Sequence, residues 1–227
     1  MDFAAKAFDA LKEEEVYVEP KPVYDFLKRC FDIVLSAAAL VALLPIFILT
    51  AVAIKLEDGG EVIYAQERVT CGGKTFTMYK FRSMCVDADK KQPVLLSKNE
   101  MVGPVFKIKN DPRITKVGRV LRRSSIDELP QFVNVLRGDM SIIGPRPPLP
   151  REVVQYTEYQ WQRLCVKTGL ACYRECRGRN RIKNFDQWVE MDLEYIRDRS
   201  LWVDFKIMIR TIAAVILGIG ENEVSGV

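Results

Sequence analysis

The 227-residue sequence contains no histidine, so this chain supplies no histidine base, nucleophile or metal ligand to any reaction. Its six cysteines are scattered and include no Cys-x-x-Cys pair, which argues against a zinc site. We interpret them as reduced, structural residues of a protein that faces the cytosol. A net charge of +4 is too small to indicate nucleic acid as a partner.

The sequence has one long apolar run, residues 33–54, which contains no charged side chain. A straight helix of that length would extend roughly 33 Å, enough to cross a bilayer core of about 30 Å. Pro45 lies inside the run and should kink the helix, and basic residues flank both ends. Length favours a transmembrane span, whereas the kink and the flanking charges fit a bent helix that enters and leaves on one face.

The length of the chain suits one domain, or one domain with a small appendage. Residues 1–22 form an acidic tail and linker without the basic start and cleavage site of a signal peptide. Residues 61–66 and 74–81 predict a β-hairpin, which places Lys80 and Arg82 on one face, turned toward a site or merely solvated. Further helices are predicted over residues 151–166, 185–199 and 200–217, and the last suits either a membrane interface or core packing.

Residues 121–148 are the most informative stretch. Apolar side chains recur there with helical spacing at Leu129, Phe132, Val133 and Leu136. Because Pro130 cannot lie deep inside a helix, this helix should begin just before it, with Asp127 and Glu128 at its N-terminus. Such a terminus attracts anions, and one carboxylate could attack or accept a proton while the other holds a cation. A capping box from Ser125 to Glu128 is the competing explanation.

Arg146 lies between prolines in the segment Gly144-Pro145-Arg146-Pro147-Pro148. The prolines fix φ on both sides of Arg146, so its side chain extends from a stiff backbone and suits bidentate contact with a phosphate. Taken alone, the segment is more simply explained as a rigid loop with a solvated arginine.

Together these motifs resemble the bacterial sugar transferases, the monotopic phosphoglycosyl transferases that load polyprenyl phosphate with a sugar phosphate. The segments that carry the resemblance are Ser125-Ile126-Asp127-Glu128-Leu129-Pro130-Gln131, Asn134-Val135-Leu136, Gly138-Asp139-Met140-Ser141 and Gly144-Pro145-Arg146-Pro147. The resemblance extends from about Tyr24 to Ile212 and implies an α+β fold. Residues 23–57 would form a re-entrant membrane helix kinked at Pro45. Residues 58–227 would form a compact cytosolic catalytic domain with a small antiparallel hairpin or sheet, several helices and interfacial amphipathic helices.

The same resemblance implies roles for individual residues. Asp127 is the expected nucleophile, Glu128 helps to place Mg²⁺, and both carboxylates are expected metal ligands. Five basic side chains are expected to contact the substrates or their phosphates: Lys80, Arg82, Arg122, Arg146 and Arg179. Arg179 lies in a segment, residues 169–180, that departs from the family pattern by losing a Trp-Gln pair.

The implied reaction transfers a sugar 1-phosphate from a UDP-sugar to polyprenyl (undecaprenyl) phosphate through a phosphosugar-aspartyl intermediate and releases UMP. It would be the first membrane step of bacterial surface polysaccharide or glycoconjugate synthesis. The protein would lie in the cytoplasmic membrane with its catalytic domain facing the cytoplasm, in contact with the lipid bilayer, and a homodimer is compatible with the sequence. Two other classes stay open. One is a direct glycosyltransferase, which would release UDP, but the sequence has no Rossmann-type glycine fingerprint to support it. The other is a non-enzymatic membrane-surface scaffold.

Overall fold

The computed structural model describes residues 18–106, 108, 110–173 and 184–216. Its helices are α1 Pro22–Ala42, α2 Leu44–Asp58, α3 Ala88–Lys91, α4 Lys116–Arg123, α5 Gln131–Arg137, α6 Pro150–Val153, α7 Glu158–Trp161, α8 Phe185–Asp198 and α9 Leu201–Ile216. Its strands are β1 Ile63–Val69, β2 Thr75–Phe81, β3 Ser141–Ile143 and β4 Gly169–Ala171. Short 3₁₀ turns cover Cys71–Gly73, Pro93–Lys98, Ile126–Glu128 and Gln162–Leu164. The predicted α+β class is therefore confirmed.

The apolar run forms two helices, α1 and α2, that meet at an angle of 59°. The break lies at Leu43, and Pro45 occupies the first turn of α2, where its missing N–H costs no helical hydrogen bond. The predicted kink is thus confirmed. In the part of the chain that the structure describes, no single helix is long and apolar enough to cross a bilayer, but this pair together has the required length and composition.

The outer surface of the α1–α2 pair is unusually apolar. Val41, Leu49 and Leu56 are 77%, 70% and 82% exposed, and Phe26 and Phe31 are mostly exposed as well. Water-soluble monomers rarely leave large apolar side chains uncovered along two consecutive helices. This surface therefore suits an apolar surrounding rather than water.

The inner surface of α1 is polar and is tied to the rest of the protein. Lys28 Nζ lies 2.6 Å from Asp204 Oδ2 on α9, and the Asp32 carboxylate accepts a hydrogen bond of 3.0 Å from the Ile142 amide. The Arg29 guanidinium donates to the carbonyls of the last turn of α5 at 2.6 and 2.8 Å, where a helix leaves acceptors unsatisfied. These bonds join α1 to β3, α5 and α9.

Two small sheets frame the domain. The antiparallel hairpin of β1 and β2 runs from the pair Ile63–Phe81 to the pair Val69–Thr75, which confirms the predicted hairpin. Its turn contains Gly72 at φ 68°, a backbone conformation that favours glycine. The second sheet, a parallel pair of β3 and β4, has no counterpart in the sequence prediction.

The helical prediction for residues 151–166 is wrong as a single helix. That segment contains two one-turn helices, α6 and α7, followed by a 3₁₀ turn. Thr157 is the reason, because its backbone is extended at ψ 164° and its side chain accepts a hydrogen bond from the Gln160 amide, which starts a new helix. The predictions of helices over residues 185–199 and 200–217 are confirmed within a few residues by α8 and α9, which pack with α6 and α7 around the main core.

Candidate functional site

Asp127 and Glu128 lie on a 3₁₀ turn rather than at the start of a helix. Because Pro130 has no N–H, the Ile126 carbonyl bonds instead to the Leu129 amide, 3.1 Å away, and α5 begins only after the proline. The predicted helix start is therefore corrected. The capping box is also not formed, because the Ser125 side chain caps no backbone group.

Ser125 enters this turn with φ 55°, one of two non-glycine residues with positive φ in the described ranges. A β-carbon makes this conformation unfavourable by about 1–2 kcal/mol, so the surrounding structure must hold it. Its effect is to turn the following residues inward, and the Asp127 side chain is buried, with the residue 7% exposed.

The buried residues of α5 are Gln131, Asn134 and Val135, which do not form the predicted apolar face. Phe132, Val133 and Leu136 are only half-buried, whereas Asn134 is fully buried. The Asn134 side-chain amide donates to the Thr77 carbonyl at 2.7 Å, and its oxygen accepts from the Tyr79 amide at 3.0 Å. Helix α5, and the 3₁₀ turn before it, is thereby fixed to the edge of β2.

A narrow cleft opens where the 3₁₀ turn meets β1 and β2. Its lining combines the carboxylate of Glu128 with three basic side chains, Arg68, Lys80 and Arg146, and is completed mainly by Gln131 and Leu170. Lys80 Nζ lies 2.8 Å from Glu128 Oε1, and both side chains are largely buried. The structure therefore brings together Lys80, Glu128 and Arg146, which the sequence placed in the same site.

The basic side chains of the cleft are crowded. Burial lowers the pKa of Lys80, although the nearby Glu128 and Asp127 carboxylates oppose the shift. Burial, followed by the charge of Arg146, lowers the pKa of Arg68 to about 10. Arg146 contributes to the lowering of both pKa values, so the three cations repel one another, and an anion bound among them would relieve that repulsion.

The segment of residues 144–148, here called the Arg146 loop, is fixed through four consecutive carbonyl groups. The Pro145 carbonyl accepts from the Gly169 amide at 2.8 Å, and the Pro148 carbonyl accepts from the Val69 amide at 3.0 Å. The two carbonyls between them accept from buried guanidinium groups: Arg163 donates to Arg146 at 3.1 Å, and Arg68 donates to Pro147 at 2.9 Å. All four donors lie outside the loop, so these neighbours determine the path of its backbone.

Glycine is required where the Arg146 loop meets β4. A β-carbon at Gly169 would overlap the Gly144 amide, and one at Gly144 would lie 2.5 Å from the Lys167 carbonyl. The two backbones therefore approach as closely as they do only because neither residue has a side chain.

Two predicted substrate residues do not line the cleft. The Arg82 side chain pairs with Asp58 at the end of α2 and donates to the Glu61 carbonyl at 2.6 Å. Arg122, on α4, donates from Nε to the Ser83 hydroxyl at 2.8 Å. Alternation along the strand predicted Arg82 on the same face as Lys80, but its guanidinium is bound to Asp58 at the end of α2.

The predicted phosphate contact Arg179 lies outside the described residues.

Two arginines that contact the Arg146 loop, Arg68 and Arg163, were not predicted from the sequence. Arg68 shares a strand face with Gln66, and its guanidinium donates to the Gln66 side-chain oxygen at 2.6 Å, so an alternating Gln-x-Arg pattern was the available signal. No comparable pattern marked Arg163.

The acidic groups of the site suit Mg²⁺ better than a metal that needs a full protein ligand set. Within the described ranges, no cluster of three or more His, Cys, Asp or Glu side chains could hold a metal. Magnesium is commonly bound by one or two carboxylates, with the remaining ligands supplied by water and substrate phosphates. Asp127 and Glu128 can provide those carboxylates.

An Asp-x-Asp pair, a metal-binding motif common in direct glycosyltransferases, also occurs, as Asp87-Ala88-Asp89. Asp87 pairs with Lys90 at 2.7 Å with both side chains exposed, and the Asp89 carboxylate accepts a long hydrogen bond of 3.4 Å from Tyr64. Neither residue lines the cleft. The pair therefore gives the direct-transfer alternative little support.

Comparison with known proteins adds an independent observation. Residues 23–218 match the family model described as bacterial sugar transferase. The chain is 48% identical over 166 residues to the galactosyl transferase CpsE of Streptococcus agalactiae, covering 73% of this chain and 37% of that protein.

Two further relatives cover more of this chain. A UDP-N-acetylgalactosamine-undecaprenyl-phosphate N-acetylgalactosaminephosphotransferase of Aeromonas hydrophila is 38% identical over 213 residues, with 89% of this chain and 47% of that protein covered. The exopolysaccharide production protein ExoY of Sinorhizobium fredii is 37% identical over 205 residues, with 88% and 90% covered. The chain thus spans less than half of the first two relatives and nearly all of the third.

Proposed function

Because this chain belongs to the bacterial sugar transferase family, we propose that it transfers a sugar 1-phosphate from a UDP-sugar to undecaprenyl phosphate and releases UMP. Relatives named as undecaprenyl-phosphate sugar phosphotransferases support the type of reaction. The observation that carries the proposal is the cleft itself. Glu128 lines it together with Lys80, Arg68 and Arg146, and the neighbouring Asp127 is close enough for its charge to act on Lys80. Carboxylates and cations of this kind support a proposal of phosphoryl transfer between two anionic substrates.

The first step is nucleophilic attack by Asp127. A carboxylate oxygen of Asp127 bonds to the sugar-bearing phosphorus of the UDP-sugar. The bond from that phosphorus to the bridging oxygen breaks, and UMP leaves with that oxygen and its electron pair. The product is a phosphosugar-aspartyl enzyme. Glu128, whose carboxylate lies 2.8 Å from Lys80, is assigned to the metal rather than to the attack.

The second step breaks the bond between Asp127 and phosphorus. An oxygen of undecaprenyl phosphate attacks the same phosphorus, the bond to Asp127 breaks, and the carboxylate is restored as the lipid diphosphate sugar departs. The side chains of Arg68, Lys80 and Arg146 offset the negative charge that accumulates in both steps. Asp127 and Glu128 would hold Mg²⁺, which when bound supplies further charge neutralisation at the phosphates.

The bent α1–α2 pair is proposed to be a re-entrant anchor in the cytoplasmic membrane. Its support is the 59° bend, the apolar outer surface and the polar inner surface that binds the domain. An anchor of this shape would leave the domain on the cytoplasmic side, where UDP-sugars are found, and close to the headgroup of undecaprenyl phosphate. It also predicts that alkaline carbonate does not extract the protein from membranes.

The proposal is tested by incubating the full chain with UDP-galactose, UDP-glucose or UDP-N-acetylgalactosamine labelled in the sugar, without lipid. We expect label on the protein and one UMP for each labelled protein with at least one of the three donors. Asp127→Asn should abolish the label, because an amide is a poor nucleophile.

Asp89→Asn is the matched control, since it makes the same change in a carboxylate outside the cleft, and it should label like the wild type. Release of UDP in place of UMP, or labelling of Asp127→Asn, would contradict the mechanism. Full polysaccharide production by Asp127→Asn in cells would instead favour a scaffold.

A further inference from the structure

Arg163 is almost completely buried, with 1% of the residue exposed, yet it carries a full charge. Its Nε and Nη2 atoms donate to Asp192 Oδ2 at 2.9 and 2.6 Å, and Nη1 donates to the Tyr156 hydroxyl at 3.0 Å. Nη2 also donates to the Arg146 carbonyl. Arg163 therefore joins the main core directly to the loop that presents a substrate residue.

The surroundings of Arg163 are otherwise apolar and aromatic. The rings of Tyr156, Phe185 and Trp188 lie between 5.2 and 6.0 Å from its guanidinium carbon. Burial is the largest single effect and would lower the pKa of Arg163, but the charges and hydrogen bonds of Asp192 and Tyr156 together outweigh it and raise the pKa above its ordinary value. The group stays charged, and its donors are fixed in direction.

Stability alone gives a weak reason for such an ion pair. A buried pair often contributes no more to stability than apolar side chains of similar volume would, because both ions must be desolvated. What apolar side chains could not provide is the hydrogen bond to the Arg146 carbonyl.

That bond restrains a backbone angle that the neighbouring prolines leave partly free. The prolines fix their own φ angles, and Pro147 limits ψ of Arg146 only to a broad extended range. The direction of the Arg146 carbonyl depends on ψ, so a donor that fixes this carbonyl also restrains the path of the backbone that carries the Arg146 side chain.

We propose that Arg163 is a positioning residue that sets the orientation of the Arg146 guanidinium toward the diphosphate of the UDP-sugar. The inference rests on the proposed function, in which Arg146 binds that diphosphate. Misplacing one group of a phosphate site weakens binding even when the group itself is retained.

Arg163→Lys is the first test. A lysine can still pair with Asp192 inside the core, but it cannot reach Tyr156, Asp192 and the Arg146 carbonyl together, because it lacks the planar fork of donors. We expect the KM for the most active UDP-sugar of the three to rise about tenfold, equivalent to about 1.4 kcal/mol, while kcat changes by less than about twofold.

A second variant keeps the test valid if Arg163→Lys folds poorly. The double change Arg163→Met with Asp192→Leu replaces the pair by apolar side chains and should keep the melting temperature near that of the wild type. It should raise KM by the same factor. Tyr156→Phe is the matched control, because it removes a different hydrogen bond of Arg163, and it should leave KM within about twofold.

The effect of Arg163→Lys in a protein that lacks the Arg146 side chain shows whether Arg163 positions Arg146 or only stabilises the core. In an Arg146→Ala background, Arg163→Lys should change KM by less than about twofold, because the group it positions is gone. An equal KM rise in both backgrounds, or an equal rise in Tyr156→Phe, would overturn the inference. If wild-type protein releases no UMP from any of the three donors, the proposed function fails; if it does and Arg163→Lys leaves KM unchanged, only this inference fails.

Discussion

The two sides of the cleft are built in different ways. The acidic side comes from Glu128, on a three-residue turn that also carries Asp127. The basic side is assembled from Arg68, Lys80 and Arg146, which lie on two strands and a loop. The acidic side therefore depends on local backbone conformation, and the basic side depends on the packing of elements that are distant in sequence.

Lys80 is where the two sides meet, so its loss should have the largest effect. In Lys80→Met the Glu128 carboxylate loses its partner at 2.8 Å in a largely buried place, and the cleft loses a cation. Because the lost cation would offset phosphate charge in both steps, we expect kcat/KM for UMP release to fall at least about 100-fold, and breaking the buried pair should also lower stability. Activity within tenfold of the wild type would show that the two sides act separately.

Arg146→Lys tests the basic side alone. The charge is kept, but the planar fork that can bind two phosphate oxygens is lost, and the rest of the loop is held by carbonyl bonds that do not involve this side chain. We expect kcat/KM to fall about 30-fold, with an unchanged melting temperature, in steady-state assays of UMP release. A fall in melting temperature of several degrees would contradict a purely substrate-binding role.

Ser125 tests the acidic side through its backbone. Ser125→Val should reduce UMP release about tenfold, because a β-branched side chain is strained at φ 55° and the turn that carries Asp127 must shift. Ser125→Gly is the matched variant, which adopts this φ without strain and should retain activity within about twofold. Equal loss in both variants would point instead to a role for the hydroxyl group.

Arg82→Gln should have the smallest effect on catalysis, although Arg82 lies only two residues from Lys80. Its side chain is bound to Asp58 and the Glu61 carbonyl beside α2, away from the cleft lining. We expect KM and kcat within about threefold of the wild type, with a modest loss of thermal stability. A loss comparable to that of Lys80→Met would return Arg82 to the substrate site predicted from the sequence.

The elements that sequence analysis predicted correctly depend on nearby residues. The β1–β2 hairpin follows from alternation around a glycine turn, and the kink follows from Pro45 alone. Glu128, Lys80 and Arg146 are far apart in sequence, so local patterns could not predict that they lie close together. That expectation came from the family resemblance.

The features that were missed depend on contacts across the fold. The parallel pairing of β3 with β4 joins two three-residue strands, too short to show any period. The buried face of α5 is set by Asn134 bonding to β2, which overrides the apolar spacing. Arg163 had no signal, because nothing local distinguishes a buried arginine with a distant carboxylate from a solvated one.

The bonds from Lys28, Arg29 and Asp32 to the domain have a mechanical consequence. They leave α1 no freedom to slide or roll against α5 and β3 without breaking charged hydrogen bonds inside the protein. Whatever depth the bent pair takes in a bilayer, the carboxylates must take it too, so a displacement of the anchor by one helical turn would carry the chemistry about 5 Å away from the lipid phosphate. In the proposed re-entrant arrangement, the bent pair would therefore set the height of the carboxylates relative to the lipid phosphate as well as hold the domain at the membrane.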